Sequence, residues 1–270
     1  FRRVLFRSRC GGRAPLMRPP WVAIALLLCA QAVCAPPALA RDGALAPVAR
    51  PNILWIVGDD LGTQLGAYGD ARAQTPTLDR LATNGVRFER AYAVSPTCSP
   101  SRSSLITSRY PTELGTQHHR SRLRNPPRTL LDELQAAGYT IAWPSDPQAA
   151  KTDFNFASPE ITRSKTGWPA AIPREPFFAY LNDMVMHEGK LMLSDAGHRE
   201  LTSMLTDAER QAPESLLPPP YLPDVPEVRR TLVRYYELVT AFDHHVASVL
   251  EQDRKSTRLN SSHANISYAV

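Results

Sequence analysis

The sequence predicts an α/β fold, a mostly parallel central sheet flanked by helices. Two continuous apolar runs, Asn52-Ile53-Leu54-Trp55-Ile56-Val57 and Pro176-Phe177-Phe178-Ala179-Tyr180-Leu181-Asn182, have the look of strands buried on both faces, which is the habit of parallel sheets. Helix-period stretches at 129–137 and 228–251 supply the covering layers. The first run delivers Gly58-Asp59-Asp60 to its carboxyl end, where open α/β sheets place their sites.

The ends of the 270-residue chain need trimming before composition is read. Residues 1–16 read as upstream and non-native, and 254–270 as adapter-like sequence; both are set aside from fold reasoning, with the glycosylation-like triplets at Asn260 and Asn265. Met17, Arg18, the apolar run 21–35 and Ala38-Leu39-Ala40 form a secretory signal peptide over 17–40, with cleavage after Ala40. The run is short for a spanning helix. The expectation is a secreted or periplasmic protein with no stable membrane association after cleavage, whose mature part is 41–253. The formal charge of +5 comes from 31 Lys and Arg against 26 Asp and Glu. The basic excess is concentrated in the leader and the two ends, so a nucleic-acid partner is not expected. Cys10, Cys29 and Cys34 fall in the removed leader and leave Cys98 alone. An exported chain with one thiol has no internal disulfide to make, which marks Cys98 as a chemical group.

The elements then follow in order. Beyond the first strand, Asp59 and Asp60 are adjacent carboxylates that repel each other unless a cation sits between them. Hard oxygen ligands suit Ca²⁺ or Mg²⁺, and a helix N-cap pair is the other reading. Residues 75–85 form a short helix with Pro76 at its start and Gly85 at its stop. The alternation over 86–92 predicts a half-buried strand. Pro100 suits a first helical turn and Ser99 an N-cap, which places Cys98 just before a helix N-terminus, where free N–H groups favour an anion. Arg102, one turn on, lies on the same side and can hold an oxyanion or orient the nucleophile. A buried Cys beside an ordinary helix start is the alternative.

Past that helix, His118 and His119 stand in a polar loop. A substrate-facing role and a merely exposed loop are both open, while no third His or Cys has the spacing for a transition metal. A helix over 129–137 and a buried strand over 139–143 lead to Lys151-Thr152-Asp153. His187 lies five residues beyond the third strand, and its imidazole suits proton transfer. His198, His244 and His245 have no such strand-end context. An extended Pro-rich linker over 218–224 precedes the long helix, whose Leu232, Tyr235, Tyr236, Val239, Phe242, Val246 and Val249 share one face.

Cys98-Ser99-Pro100-Ser101-Arg102, together with Pro51-Asn52-Ile53-Leu54-Trp55-Ile56-Val57-Gly58-Asp59-Asp60 and Thr75-Pro76-Thr77-Leu78-Asp79-Arg80-Leu81-Ala82, resembles the type I sulfatases. The Lys151-Thr152-Asp153 segment is similar to that of bacterial members near the heparan N-sulfatases. The resemblance implies the alkaline-phosphatase-like sulfatase fold, of which 41–253 would be the N-terminal part. It implies that Cys98 is oxidised to formylglycine by a formylglycine-generating or anaerobic sulfatase-maturating enzyme. It implies Ca²⁺, rather than Mg²⁺, held by Asp59, Asp60 and the group made from Cys98. Arg102 and Lys151 would neutralise the sulfate, His187 would protonate the leaving group, and His118, His119 and Asp153 would face the substrate. Asp153 departs from the family, which has His in that slot.

The implied substrate is a sulfated small molecule or glycan, with N-sulfoglucosamine first. An arylsulfatase, a sugar O-sulfatase, or a phosphonate or phosphodiester hydrolase is the alternative. The family's later strand with Asp-His-Gly or Asp-Asn-Gly, which completes the metal site, has no counterpart before residue 254. The expectation is an active longer parent and an inactive isolated chain.

Overall fold

The computed structural model describes residues 50–146, 148–163, 173–257 and 264–269; the expected signal peptide over 17–40 lies outside them. In chain order the main elements are β1 (Ile53–Asp59), α1 (Pro76–Asn84), α2 (Cys98–Thr107), α3 (Pro111–Leu114), α4 (Leu130–Ala136), β2 (Thr140–Ala142), β3 (Phe177–Asp183), α5 (Asp195–Leu201), α6 (Pro226–Thr257) and β4 (Ala264–Ala269). The four strands form one sheet in the order β2, β3, β1, β4, and every pairing is parallel.

Strand periodicity splits the apolar residues between two faces. Leu54 and Ile56 of β1 join Phe177, Ala179 and Leu181 of β3 against Leu238, Phe242 and Val246 of α6. Val57 of β1 joins Phe178 and Tyr180 of β3, Ile141 and Trp143 against Ile106 of α2 and Leu131 of α4. Each fully buried side chain of this size contributes roughly 1.5–3 kcal/mol, which is why both faces are closed by helices. The approach is closest at Gly58, where a Cβ would stand 3.0 Å from the Phe242 ring. Register sets the ends level, since Gly58 pairs with Asp183 at the carboxyl edge.

The helices hold their places for different reasons. α4 starts at a capping box in which Thr129 and Asp132 satisfy each other's backbone N–H groups. α6 packs by apolar contact, with Tyr236, Val239, Phe242, Val246 and Val249 buried as the spacing requires. α2 is buried although Ile106 is its only large apolar buried residue; Ser99, Ser101, Arg102, Ser103, Ser104 and Thr107 are buried with it. Hydrogen bonds locate it instead. The Ser103 hydroxyl donates to Asn155 Oδ1 at 3.1 Å and accepts from the Asn155 N–H at 2.8 Å.

Two expectations need revision. Residues 86–92 form no strand: Val86, Phe88 and Tyr92 are 81%, 68% and 83% exposed, and the segment is in none of the four strands of the sheet. Alternation alone does not make a strand without a partner edge. Helix α2 begins at Cys98 itself, with Thr97 at the cap position, so Ser99 does not cap it. Beyond these, the long helix runs on to Thr257, and residues 264–269 pair with β1 as β4. Among the described residues no helix is long and apolar enough to cross a membrane.

Candidate active site

The site is assembled where β1 and β3 end. Asp59, the last residue of β1, is 4% exposed, and its two oxygens are both taken. Oδ1 accepts from Arg102 Nη2 at 2.7 Å and Oδ2 from Lys151 Nζ at 2.7 Å. Burial pushes the Asp59 carboxyl up, and the charges and hydrogen bonds of Arg102 and Lys151 outweigh it and leave the carboxyl below its ordinary value. Asp60 turns the chain out of the sheet in the left-handed region, at φ 60°, a conformation Asp tolerates better than most residues. Its Oδ2 accepts from the Glu188 N–H at 2.8 Å and ties the strand end to the loop that carries His187.

Arg102 is buried and fully committed. Besides Asp59, Nη1 donates to the Tyr180 hydroxyl at 3.0 Å and to the Lys151 carbonyl at 3.2 Å, and Nη2 donates to Asn182 Oδ1. Burial would lower its pKa, but Tyr180 and Asp59 hold the guanidinium above its usual value. Tyr180 is itself stacked on Trp143 at 3.9 Å between ring centroids. This geometry gives Arg102 a part in positioning Asp59. Tyr180 and Asn182 complete its cradle; in sequence they read only as strand core.

Lys151 reaches the site through backbone pairing that no local pattern announces. Ala150 bridges to Asn182 in parallel fashion, and the Asn182 and Met184 N–H groups donate to the carbonyls of Ala149 and Gln148 at 2.9 and 3.0 Å. Residues 148–151 thus run beside the end of β3, and the Lys151 ammonium lands between Asp59 and Cys98, 3.5 Å from Sγ. Cys98 is half-buried at the first residue of α2, so the thiol stands among the helix's free N–H groups.

His187 Nε2 lies 4.0 Å from Asp59 Oδ2. Its Nδ1 accepts from the Gly189 N–H at 3.2 Å, which places the proton of the neutral ring on Nε2, the nitrogen that faces the site. Of the loop pair, His119 Nδ1 is 3.3 Å from the Ser99 hydroxyl, whereas the His118 side chain is exposed and its carbonyl accepts from Asn155 Nδ2 at 2.9 Å. Asp153 pairs with Arg120 at 3.2 and 3.3 Å. Sequence reasoning passed over Arg120, although it is next to the histidine pair.

The donor chemistry of Asp59 and Asp60 fits a hard divalent cation. It is a partial set, because Ca²⁺ takes roughly six to eight oxygens and no group of three or more His, Cys, Asp or Glu converges among the described residues. The surroundings suit a nucleophile at Cys98 acting on an anion: a cation at 3.5 Å, a helix start at the same residue, and an imidazole nitrogen 4.0 Å from Asp59.

A model of the family described as sulfatase matches residues 51–261. An ulvan-active sulfatase of Formosa agariphila is 30% identical over 247 residues, covering 75% of this chain and 40% of that protein. An N-acetylgalactosamine-6-sulfatase of Sus scrofa is 42% identical over 103 residues, covering 33% of this chain and 20% of that protein. The phosphonate monoester hydrolase of Agrobacterium radiobacter shares the fold, with a TM-score of 0.55 at 18% identity over 81% of this chain and 62% of that one, as does a sulfatase structure from Bacteroides thetaiotaomicron, with a TM-score of 0.54 at 18% identity over 81% of this chain and 57% of that one. The chain spans less than half the length of the curated relatives it matches.

Proposed function

This chain belongs to the sulfatase family, and on that premise we propose that the protein hydrolyses sulfate esters of glycans with a nucleophile made from Cys98. The observation that carries the reading is the placement of Cys98 at a helix start, 3.5 Å from the Lys151 ammonium and beside the carboxyl end of β1. Oxidation of the thiol to formylglycine and hydration of the aldehyde give two geminal hydroxyls. One attacks sulfur as the bond from sulfur to the sugar oxygen breaks. Lys151 neutralises charge on the sulfate oxygens, and the departing oxygen, hydrogen-bonded by the His187 Nε2–H, takes up the proton that the attacking hydroxyl releases. The second hydroxyl then gives up its proton, its oxygen re-forms the carbonyl, and sulfate leaves. Arg102 holds Asp59 in place throughout. Asp59 and Asp60 would hold Ca²⁺, which when bound supplies positive charge against the sulfate.

N-sulfoglucosamine is one substrate to screen. Relatives named as N-acetylglucosamine-6-O-sulfatase and N-acetylgalactosamine-6-O-sulfatase of Bacteroides thetaiotaomicron put O-sulfated amino sugars beside it. The test is peptide mass spectrometry across Cys98 after expression with a maturation enzyme. A loss of about 18 Da at that residue, the change from thiol to aldehyde, is expected. An unmodified thiol under those conditions overturns the mechanism.

A further inference from the structure

We infer that Arg120 is a specificity-determining residue of this site, a guanidinium that reads a second anionic group, sulfate or carboxylate, on the sugar that carries the scissile sulfate. The inference rests on the sulfatase reading above and deepens it.

Of the cations around Cys98, Arg102 is 3% exposed and has both terminal nitrogens engaged, and Lys151 is bound to Asp59. Arg120 differs: its side chain is 70% exposed and still does not swing free. Its backbone N–H donates to the Ser99 hydroxyl at 2.6 Å, one residue from the nucleophile. Its guanidinium is held by both oxygens of Asp153, a side chain only 15% exposed. The loop behind it is fixed by Asn155, whose Nδ2 donates to the carbonyls of His118 and Ser121 at 2.9 and 2.8 Å.

Backbone conformation adds an independent sign. Arg120 and Asp153 both lie in the left-handed region, at φ 55° and 42°, although neither is glycine. Such conformations persist only where surrounding contacts over-determine them, and they gather at functional sites. Here the strain is spent on one outcome: an exposed planar cation at a fixed place beside the start of the helix that carries Cys98. A guanidinium fork matches carboxylate and sulfate oxygens in pairs. Its partner Asp153 holds it in register until a ligand anion takes over, which gives Asp153 a positioning part.

Equilibrium binding to this chain is measured with three probes: a monosulfated glucosamine, the same sugar with a second sulfate, and the monosulfated sugar linked to a uronic acid. Arg120→Gln should weaken one or both doubly anionic probes by about tenfold, the order expected for a charge-assisted pair. It should leave the monosulfated sugar within about twofold, and Arg120→Lys should recover part of the loss. Which probe is weakened tells sulfate from carboxylate. Asp153→Asn, which keeps the side chain's size, should shift the same probes in the same direction by a smaller factor. Equal effects of Arg120→Gln on all three probes, or none, overturn the inference. Lys151→Met separates it from the reading beneath it: loss of all three probes in that variant keeps the sulfate pocket even if Arg120 proves silent. A chain that binds none of the probes overturns both.

Discussion

Asp59 and Glu237 invite comparison because they are alike in nearly every local respect. Both are buried, at 4% and 5% exposure. Each is held by two side chains, Asp59 by Arg102 and Lys151, Glu237 by His198 at 2.8 Å and Arg210 at 3.1 Å. In each, burial pushes the carboxyl up and the partners outweigh it. Yet Glu237 is a brace. It sits within α6, and its second oxygen accepts from the Gln211 N–H at 3.3 Å, so its bonds end in the protein's own framework. Asp59 ends a strand, and Lys151 carries its charge on to a half-buried thiol. A buried carboxylate with a shifted pKa is therefore no site by itself; the neighbouring thiol and the place at a strand end make the difference.

The comparison can be broken most forcefully at Asp59. Asp59→Ala leaves Arg102 and Lys151 buried without their anion and should cost about 4 kcal/mol in urea unfolding, since removing one member of a buried pair strands the other. Glu237→Ala should cost about 3 kcal/mol for the same reason, but it should leave the alkylation rate of Cys98, followed by peptide mapping, within about twofold of the parent, as distant sites act independently. A changed Cys98 rate in that variant would erase the distinction drawn between the two carboxylates. Lys151→Met should reverse the pattern: a stability change within about 1 kcal/mol, as the stem still packs, with sulfate-ester binding down by about tenfold or more.

The smallest effect belongs to His245, whose Nδ1 pairs with Asp183 Oδ2 at 2.6 Å on the other side of the β3 end. The hydrogen bond to Asp183 raises its pKa above the ordinary histidine value. A group raised on folding contributes stability that is complete below the unfolded pKa and lost as pH climbs through the folded one. His245→Gln should thus lower Tm by about 2 °C at pH 5.5 and by less at pH 8.5, judged from the worth of partly exposed pairs in a domain of this size. An effect that grew with pH would contradict the pairing.

How far these features could be read from sequence depends on how local their causes are. The β1 strand and its carboxylates were legible, because a doubly buried run and the residues that end it are written in consecutive positions. The face of α6 was legible for the same reason. α2 carries no apolar stripe, and only its Cys-x-Pro-x-Arg spelling drew attention to it. Lys151 could be picked out by resemblance, while the bridge from Ala150 to Asn182 that delivers it joins residues 32 positions apart. Arg120 left no signal, since an arginine in a polar loop looks like any solvated cation until its N–H is found on Ser99. Residues 86–92 misled, because alternation describes a strand's faces and says nothing of the neighbour it needs.

The cradle of Arg102 has a consequence for how faithfully the sheet is put together. One guanidinium touches Asp59 of β1, Tyr180 and Asn182 of β3, and the backbone at Lys151. Sliding one parallel strand past the other by a single residue turns its side chains to the opposite face, while most ladder hydrogen bonds can form again in the shifted pairing. Arg102 could not follow such a slip, and would be left as an unmatched charge in the interior. The group that steadies the site's carboxylate thus also acts as a proofreader of strand alignment, rejecting misassembled sheets that the backbone alone would accept.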